Sequence, residues 1–281
     1  MTSYIHQTGE MTSTDGVKLF FQTRQKPQPR GVIVLCHGVG EHSSRYGNLL
    51  QAIDDTDLSV YALDHRGHGR SAGKRGHVMS FDEYIDDFDL LVQSAKKDHP
   101  GIPMIIMGHS LGGVIVFKYM LKYGQDFAGL ILSSAGLKSK VEVPPLKAKV
   151  ALVLSRVLPS LSMPTGLDSK LLSHDQKVVK DYIDDPLVHD LVSARWYTEF
   201  IAAGQECLNR SAEIVLPLLI IHGKADGIVD YRGSEEVMQK AASRDKEIYI
   251  FDNLYHETMN ETPAEREQVL QVIKTWLLKH I

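Results

Sequence analysis

Short, mostly apolar runs recur along the chain, each bounded by glycine, proline or charged residues. They occupy residues 31–36, 58–63, 104–107, 127–134, 216–223 and 247–251. Such runs are typical of strands that are covered on both faces, as in a parallel sheet. Helical patterns lie between several of them, which predicts right-handed strand–helix–strand units. Residues 3–26 instead have the pattern of an antiparallel edge, with a turn at residues 14–16.

This alternation stops between residues 138 and 212, where no buried strand is predicted. Helices are expected there instead, one of them from Ser193 to Ser211. We therefore predict an α/β fold, with a mostly parallel central sheet flanked by helices and an inserted helical cap. The expected boundaries are a core at 1–137, the cap at 138–212 and the rest of the core at 213–281.

A broad apolar stripe on the first cap helix has two interpretations. Its residues recur at helical spacing: Leu146, Val150, Val153, Leu154, Val157 and Leu158. The stripe can pack the cap onto the core. Alternatively, part of it touches lipid or micelles and opens a tunnel for an acyl chain.

Composition narrows the class of protein. The chain has 281 residues, of which 43% are hydrophobic, and its net charge is −4. This charge does not favour a nucleic-acid partner. Two cysteines, Cys36 and Cys207, make no disulfide framework. Residues 1–7 lack a secretory-signal pattern, and no run is long enough to span a membrane. We expect a soluble cytoplasmic protein, with peripheral membrane contact through the cap.

Ser110 is the candidate nucleophile. It is the central residue of a Gly-X-Ser-X-Gly sequence between a predicted strand and a predicted helix. Gly108 and Gly112 let these elements approach closely, so the hydroxyl would lie at the strand end and at a helix N-terminus. The alternative is an ordinary glycine–serine turn.

A serine hydroxyl needs a neighbouring base, and the base needs an orienting acid. The histidines after Ser110 in the chain are His174, His189, His222, His256 and His280. We favour His256, because its loop follows the last strand and opens at the same end of the sheet as Ser110. The alternative for His256 is an ordinary surface-loop histidine.

The acid is expected in the loop after the preceding strand, which offers Asp226 and Asp230. Asp226 is closer to the strand end, whereas Asp230 precedes a helical segment and suits an N-cap. Asp252 is too close in sequence to His256. For the oxyanion donors we predict the N–H of Leu111, which follows the nucleophile, and the N–H of Val39.

Several sequence motifs give the chain a specific resemblance. They are His37–Ser43, Asp64–Ser71, Gly108–Gly113, Asp185–Leu187, His222-Gly223 with Asp226, and Tyr255–Glu257. In this order they resemble the monoacylglycerol lipase, or lysophospholipase-like, branch of the α/β-hydrolase superfamily. The resemblance implies Ser110, Asp226 and His256 as a catalytic triad, with Val39 and Leu111 as oxyanion donors.

The resemblance also implies substrate-binding residues. Glu41, Arg45 and Tyr182 match positions that bind the glycerol end in relatives. Some relatives have a second histidine three residues after the catalytic one, where this chain has Met259. The cap matches poorly outside residues 182–187.

The function implied is hydrolysis of a single-chain lipid ester, most specifically of a monoacylglycerol to glycerol and free fatty acid through an acyl-enzyme. No metal or cofactor is expected: His65 and His68 flank a glycine-rich loop without completing a ligand set. The alternatives are a broader carboxylesterase or lysophospholipase, a peptidase on the same fold, and a non-catalytic lipid-binding protein.

Overall fold

A mixed sheet forms the centre of the fold in this computed structural model, which describes residues 4–140 and 145–281. The strands are β1 (Ile5–Thr12), β2 (Lys18–Gln25), β3 (Gly31–Cys36), β4 (Leu58–Leu63), β5 (Met104–His109), β6 (Gly129–Ser133), β7 (Ser162–Pro164), β8 (Leu191–Ser193), β9 (Leu218–Gly223) and β10 (Lys246–Phe251). Eight of them form the sheet, in the order β1-β2-β4-β3-β5-β6-β9-β10. Its antiparallel pairs are β1–β2 and β2–β4, and its other pairs are parallel. The predicted antiparallel edge and parallel centre are therefore confirmed.

Helices cover both faces of this sheet. They are α1 (Gly47–Ala52), α2 (Asp82–Asp98), α3 (Leu111–Tyr123), α4 (Pro145–Val157), α5 (Gln176–Asp184), α6 (Ala194–Asn209), α7 (Arg232–Lys240) and α8 (Pro263–Lys279). One apolar core joins the sheet to α2, α3, α6 and α7, and a second joins it to α1 and α8. In the described part of the chain, no helix has the length and apolarity needed to cross a bilayer.

Strand β3 shows why the central strands are apolar throughout. Val32 and Val34 belong to one core, whereas Ile33 and Leu35 belong to the other. Successive side chains of a strand point to opposite faces, so a strand covered on both sides has no position for a solvated residue.

The chain between β6 and β9 contains α4, α5 and α6, so the helices expected in this stretch are present. The second predicted helix is α6, and the Ser193 hydroxyl accepts a hydrogen bond from the backbone N–H of Trp196 at its start. This part of the chain also contains β7 and β8, which pair antiparallel with each other and which the sequence did not predict. Strands of three residues are too short to leave a pattern of alternation.

Packing on the core does not account for the whole α4 stripe. Ser155 is buried, and its hydroxyl shares a 2.7 Å hydrogen bond with the hydroxyl of Thr198 on α6. Val153 and Val157, by contrast, are 60% and 67% exposed. The side chain of Leu146 lies outside the described part of the structure.

A buried ion cluster fixes the loop of residues 64–71, which follows β4. The Arg66 guanidinium donates to both carboxylate oxygens of Asp87 on α2, at 2.6 and 2.8 Å. Arg66 also pairs with Asp15 of the β1–β2 turn and with Glu83, each at 2.7 Å. In the same loop, Asp64 accepts hydrogen bonds from the backbone N–H and hydroxyl of Ser43 at 2.8 and 2.6 Å. The 64–71 loop thus supports the loop after β3.

We expect Arg66→Ala to lower the free energy of unfolding by about 3–5 kcal/mol, because it leaves the buried Asp87 carboxylate without its charge partner. Urea denaturation measures this change. Lys180→Ala is the control: it removes an exposed ion pair with Asp184 and should leave stability almost unchanged. Equal losses of unfolding free energy in the two variants would contradict the stabilising role of the Arg66–Asp87 ion pair.

Candidate active site

Ser110 forms the turn between β5 and α3. Its φ of 53° and ψ of −117° are strained for a residue with a side chain. A Cβ on Gly108 would lie 2.3 Å from the Gly112 carbonyl oxygen, and a Cβ on Gly112 would lie 2.1 Å from the Cys36 carbonyl oxygen. The turn therefore requires glycine at both positions. It places Ser110 at the carboxyl edge of the sheet, where the N-terminus of α3 favours negative charge.

Asp226 and His256 meet at this same edge, from the loops that follow β9 and β10. Both are buried, and His256 Nδ1 lies 2.7 Å from Asp226 Oδ2. Asp226 Oδ1 accepts hydrogen bonds from the backbone N–H groups of Ile228 and Val229 at 2.7 and 2.9 Å. The acid and histidine selected from the sequence are thus brought together.

Burial and neighbouring charges shift the pKa values of Asp226 and His256 in opposite directions. Burial alone would raise the pKa of Asp226, but the adjacent His256 and His222 hold that pKa well below its usual range. Burial would lower the pKa of His256, whereas the Asp226 carboxylate raises it, so that the net pKa lies above the ordinary value. The arrangement therefore favours a carboxylate beside an imidazole that readily accepts a proton.

His222 is a second imidazole on Asp226. Its Nε2 lies 3.1 Å from Asp226 Oδ2, and its Nδ1 lies 2.8 Å from the Ser234 hydroxyl. The sequence suggested only that His222 ends a strand. The other candidates have partners elsewhere: Asp230 accepts from the Arg232 N–H, Asp252 pairs with Lys224, His174 with Glu261, and His280 with Asp245.

A cavity of about 560 Å³ opens at this edge, and Ser110 and His256 both line it. Much of its wall is apolar and comes from the chain between β6 and β9: Leu167, Leu172, Ile183, Trp196, Phe200 and Ile201. A pocket of this size, with mostly apolar walls and a few polar groups, suits a small-molecule ligand.

The two predicted oxyanion donors lie on different elements. Leu111 is the first residue of α3, so its N–H has no acceptor within the helix. Val39 lies in the loop of residues 37–43, after β3, and lines the cavity.

The 37–43 loop is tied to the chain between β6 and β9. The His189 N–H donates to the Gly40 carbonyl at 3.0 Å, and a Cβ on Gly40 would lie 2.4 Å from the His189 carbonyl oxygen. His42 Nε2 lies 2.9 Å from Asp185 Oδ2, and His189 Nε2 lies 3.0 Å from the Gly67 carbonyl. Residues 185–189, of which Val188 and His189 line the cavity, are therefore hydrogen-bonded to the loop that carries Val39.

Arg45 lies between two glutamates at the polar end of the cavity. Its guanidinium donates two hydrogen bonds to Glu257, at 2.6 and 2.8 Å, and one to Glu41, at 2.9 Å. Glu41 and Glu257 line the cavity, and Arg45 itself does not. The predicted binding residue Arg45 is thus placed behind the two carboxylates.

Further donors point at both carboxylates. Glu41 accepts from the Gly38 N–H at 2.6 Å and the Tyr46 hydroxyl at 2.9 Å, and Glu257 accepts from the Asn260 amide at 2.9 Å. Burial raises the pKa of Glu41. Burial would also raise the pKa of Glu257, but the bidentate Arg45 contact lowers it to about 2.

The third predicted binding residue, Tyr182, lines the cavity beside this group. Its ring lies 4.7 Å from the Arg45 guanidinium, and burial raises its pKa. Met259, at the position where some relatives have histidine, is buried in the core with α1 and α8 and does not line the cavity.

Glu257 was not selected from the sequence. The signal was present, because a carboxylate directly after the candidate base must lie near the same site. Its partner Arg45, however, is 212 positions away in the chain, and sequence spacing does not reveal such a contact.

One candidate cation-binding group occurs among the described residues. It consists of His174, Glu261 and Glu265, and none of them lines the cavity. The Glu261 oxygens already accept hydrogen bonds from the backbone N–H groups of His174 and Tyr255, at 2.8 and 2.7 Å.

Comparison with known proteins identifies relatives over the full chain. Residues 27–263 match the family described as serine aminopeptidase, S33. The chain is 36% identical to monoacylglycerol lipase of Mycolicibacterium smegmatis, over 100% of both proteins. It is 32% identical to monoglyceride lipase of Rattus norvegicus, over 96% of this chain and 90% of the relative.

A solved structure gives the same result. The crystal structure of Paleococcus ferrophilus monoacylglycerol lipase has a TM-score of 0.86 and 35% sequence identity, over 94% of this chain and 99% of that one. The predicted fold and the family resemblance are therefore confirmed. This chain belongs to the serine aminopeptidase S33 family of α/β hydrolases, in its monoacylglycerol lipase and lysophospholipase-like branch, and is an ester hydrolase.

Proposed function

We propose that the protein hydrolyses monoacylglycerols to glycerol and fatty acid through an acyl-enzyme on Ser110. The observation that carries the proposal is the 2.7 Å Asp226–His256 hydrogen bond at a cavity that Ser110 also lines. Family membership and the monoacylglycerol lipases among the relatives support the choice of substrate. The apolar cavity wall provides a place for an acyl chain.

Acylation assigns a role to each of the three residues. The Ser110 oxygen attacks the ester carbonyl carbon while His256 accepts the hydroxyl proton. Asp226 fixes the imidazole and stabilises its protonated form. The N–H groups of Val39 and Leu111 donate to the oxyanion.

The intermediate then collapses. The ester C–O bond breaks, and His256 gives its proton to the departing glycerol oxygen. Water attacks the acyl-enzyme by the same route, with His256 accepting the water proton and returning it to Ser110 as the fatty acid leaves. Glu41 and Tyr182 bind the glycerol end, and residues 138–212 act as the cap.

Two groups of alternatives are open to test. A broader carboxylesterase, a lysophospholipase or a peptidase would use the same triad on other substrates. Hydrolysis of a monoacylglycerol, a lysophospholipid, a short nitrophenyl ester and an aminoacyl amide separates these activities. A non-catalytic lipid-binding protein would hydrolyse none of the four.

Ser110→Ala should abolish labelling by a fluorophosphonate and reduce monoacylglycerol hydrolysis by at least about 10⁴-fold, because it removes the nucleophile. Gel fluorescence and release of fatty acid measure the two effects. The control is Ser134→Ala, which removes another buried serine hydroxyl, one residue beyond the end of β6. This variant should keep both the labelling and the hydrolysis. Labelling that persists in Ser110→Ala would refute the assignment.

His256 must be neutral to accept the Ser110 proton, so kcat/KM should fall as pH drops through the pKa of His256. Because Asp226 raises that pKa, we expect the midpoint of the acidic limb above the ordinary value of about 6.5. A pH profile of kcat/KM measures it. Activity that stays constant down to pH 5 would rule out the general-base role.

We further propose that the exposed face of α4 contacts a lipid surface. Val153 and Val157 are exposed there, and Ile183 and Ile201, which line the cavity, are 62% and 42% exposed. Exposed apolar side chains at the cavity and on α4 would favour transfer of a lipid substrate from a membrane to the site.

Val157→Glu should weaken binding to phosphatidylcholine vesicles several-fold in a flotation assay, because it places a charge on the apolar face. Hydrolysis of a short, water-soluble ester should be retained. Val215→Glu is the matched control, since Val215 is 59% exposed and lies outside the 138–212 segment. Equal vesicle binding by both variants and the unaltered protein would exclude contact through α4.

A further inference from the structure

Two imidazoles share one oxygen of the buried Asp226 carboxylate. His256 Nδ1 lies 2.7 Å from Asp226 Oδ2, and His222 Nε2 lies 3.1 Å from the same atom. The other oxygen, Oδ1, accepts hydrogen bonds from the Ile228 and Val229 N–H groups. An ionised carboxylate offers about four lone-pair sites. Each site on Asp226 therefore has a donor, and His222 supplies the fourth of them.

The partners of His222 determine which of its ring nitrogens carries the proton. An ionised carboxylate can only accept hydrogen bonds, so His222 Nε2 donates to Asp226. The other ring nitrogen, Nδ1, lies 2.8 Å from the Ser234 hydroxyl, which can donate to it. His222, Asp226 and Ser234 are all buried, so bulk water does not compete for these contacts. Ser234 thus holds His222 in the form that donates to the acid.

We infer that His222 is a positioning residue, which acts through Asp226 and sets how strongly this carboxylate attracts the proton on His256. A donor stabilises the negative charge of a carboxylate, so the carboxylate exerts less attraction on a neighbouring imidazolium. The same hydrogen bond opposes rotation of the carboxylate away from His256. The inference rests on the proposed triad and adds to it a residue that does not line the cavity.

Other titratable and charged groups lie near Asp226 and His256. They come from β5, from the chain after β3, from the loop after β10 and from the chain after β6: His109, Glu41, Arg45, Glu257 and Lys140. Burial lowers the pKa of His109 to about 3, so this imidazole is neutral. The Lys140 ammonium donates to the Asp226 backbone carbonyl at 2.6 Å. Because all of these groups are retained when only His222 is changed, a difference between His222 variants reports on His222 itself.

Two substitutions separate the two contacts of His222. A Gln amide reaches about as far as Nε2 and can donate to Asp226, whereas the shorter Asn amide replaces Nδ1 and can contact only Ser234. The measurement is the pH profile of kcat/KM for a short nitrophenyl ester. His222→Gln should keep the plateau within about threefold and keep the acidic midpoint. His222→Asn should lower the plateau by at least about tenfold and raise the midpoint by about half a pH unit, because Asp226 then attracts the His256 proton more strongly.

His280→Asn is the matched control. His280 also contacts a carboxylate, that of Asp245 at 3.0 Å, but it does not line the cavity, so this variant should keep both the plateau and the midpoint. Urea denaturation measures the folded fraction of each variant, and the midpoint does not depend on that fraction. Equal profiles for His222→Asn and His222→Gln, or a lower plateau in His222→Asn with an unchanged midpoint, would overturn the inference. Absence of ester hydrolysis by the unaltered protein would instead overturn the proposed acyl-enzyme chemistry.

Discussion

The active edge of the sheet depends on a backbone contact that has no room for a side chain. Gly112, in the first turn of α3, packs directly on the Cys36 carbonyl at the end of β3. This contact holds β3, β5 and the start of α3 at fixed separations. Because the 37–43 loop begins immediately after Cys36, the same contact sets the distance between Val39 and the Ser110 turn. The strained Ser110 and the 37–43 loop thus take their positions from one close approach.

Buried carboxylates complete the site, and each is surrounded by donors. Asp226 accepts from two backbone N–H groups and two imidazoles, and Glu257 accepts three hydrogen bonds from Arg45 and Asn260. A buried charge is tolerated only when such partners compensate for the lost water. The partners also fix the direction of each carboxylate, and the fixed Asp226 carboxylate in turn orients the His256 imidazole.

Sequence reasoning predicted the features that have a local cause. Central strands such as β3 were recognisable because both of their faces are buried, and the Ser110 turn because its glycines are required by close backbone contacts. Asp226 and His256 followed from chain order and strand ends.

Pairing of His222 with Asp226 was missed, since both flank one turn and the direction of the imidazole depends on the fold. Arg45 and Glu257 could not be joined, because their contact exists only once β3 and β10 lie in one sheet. The α4 stripe was ambiguous for a related reason: periodicity shows that a face is apolar but not what covers it.

Hydrogen bonds join the 37–43 loop to residues 185–189, of which Val188 and His189 form part of the cavity wall. Displacing residues 185–189 would pull on Gly40 and His42 and so distort the 37–43 loop. Displacing α4 would disturb neither of these contacts. A substitution that shifts the chain at residues 185–189 should therefore also alter the site at Ser110, although none of these residues belongs to the predicted triad.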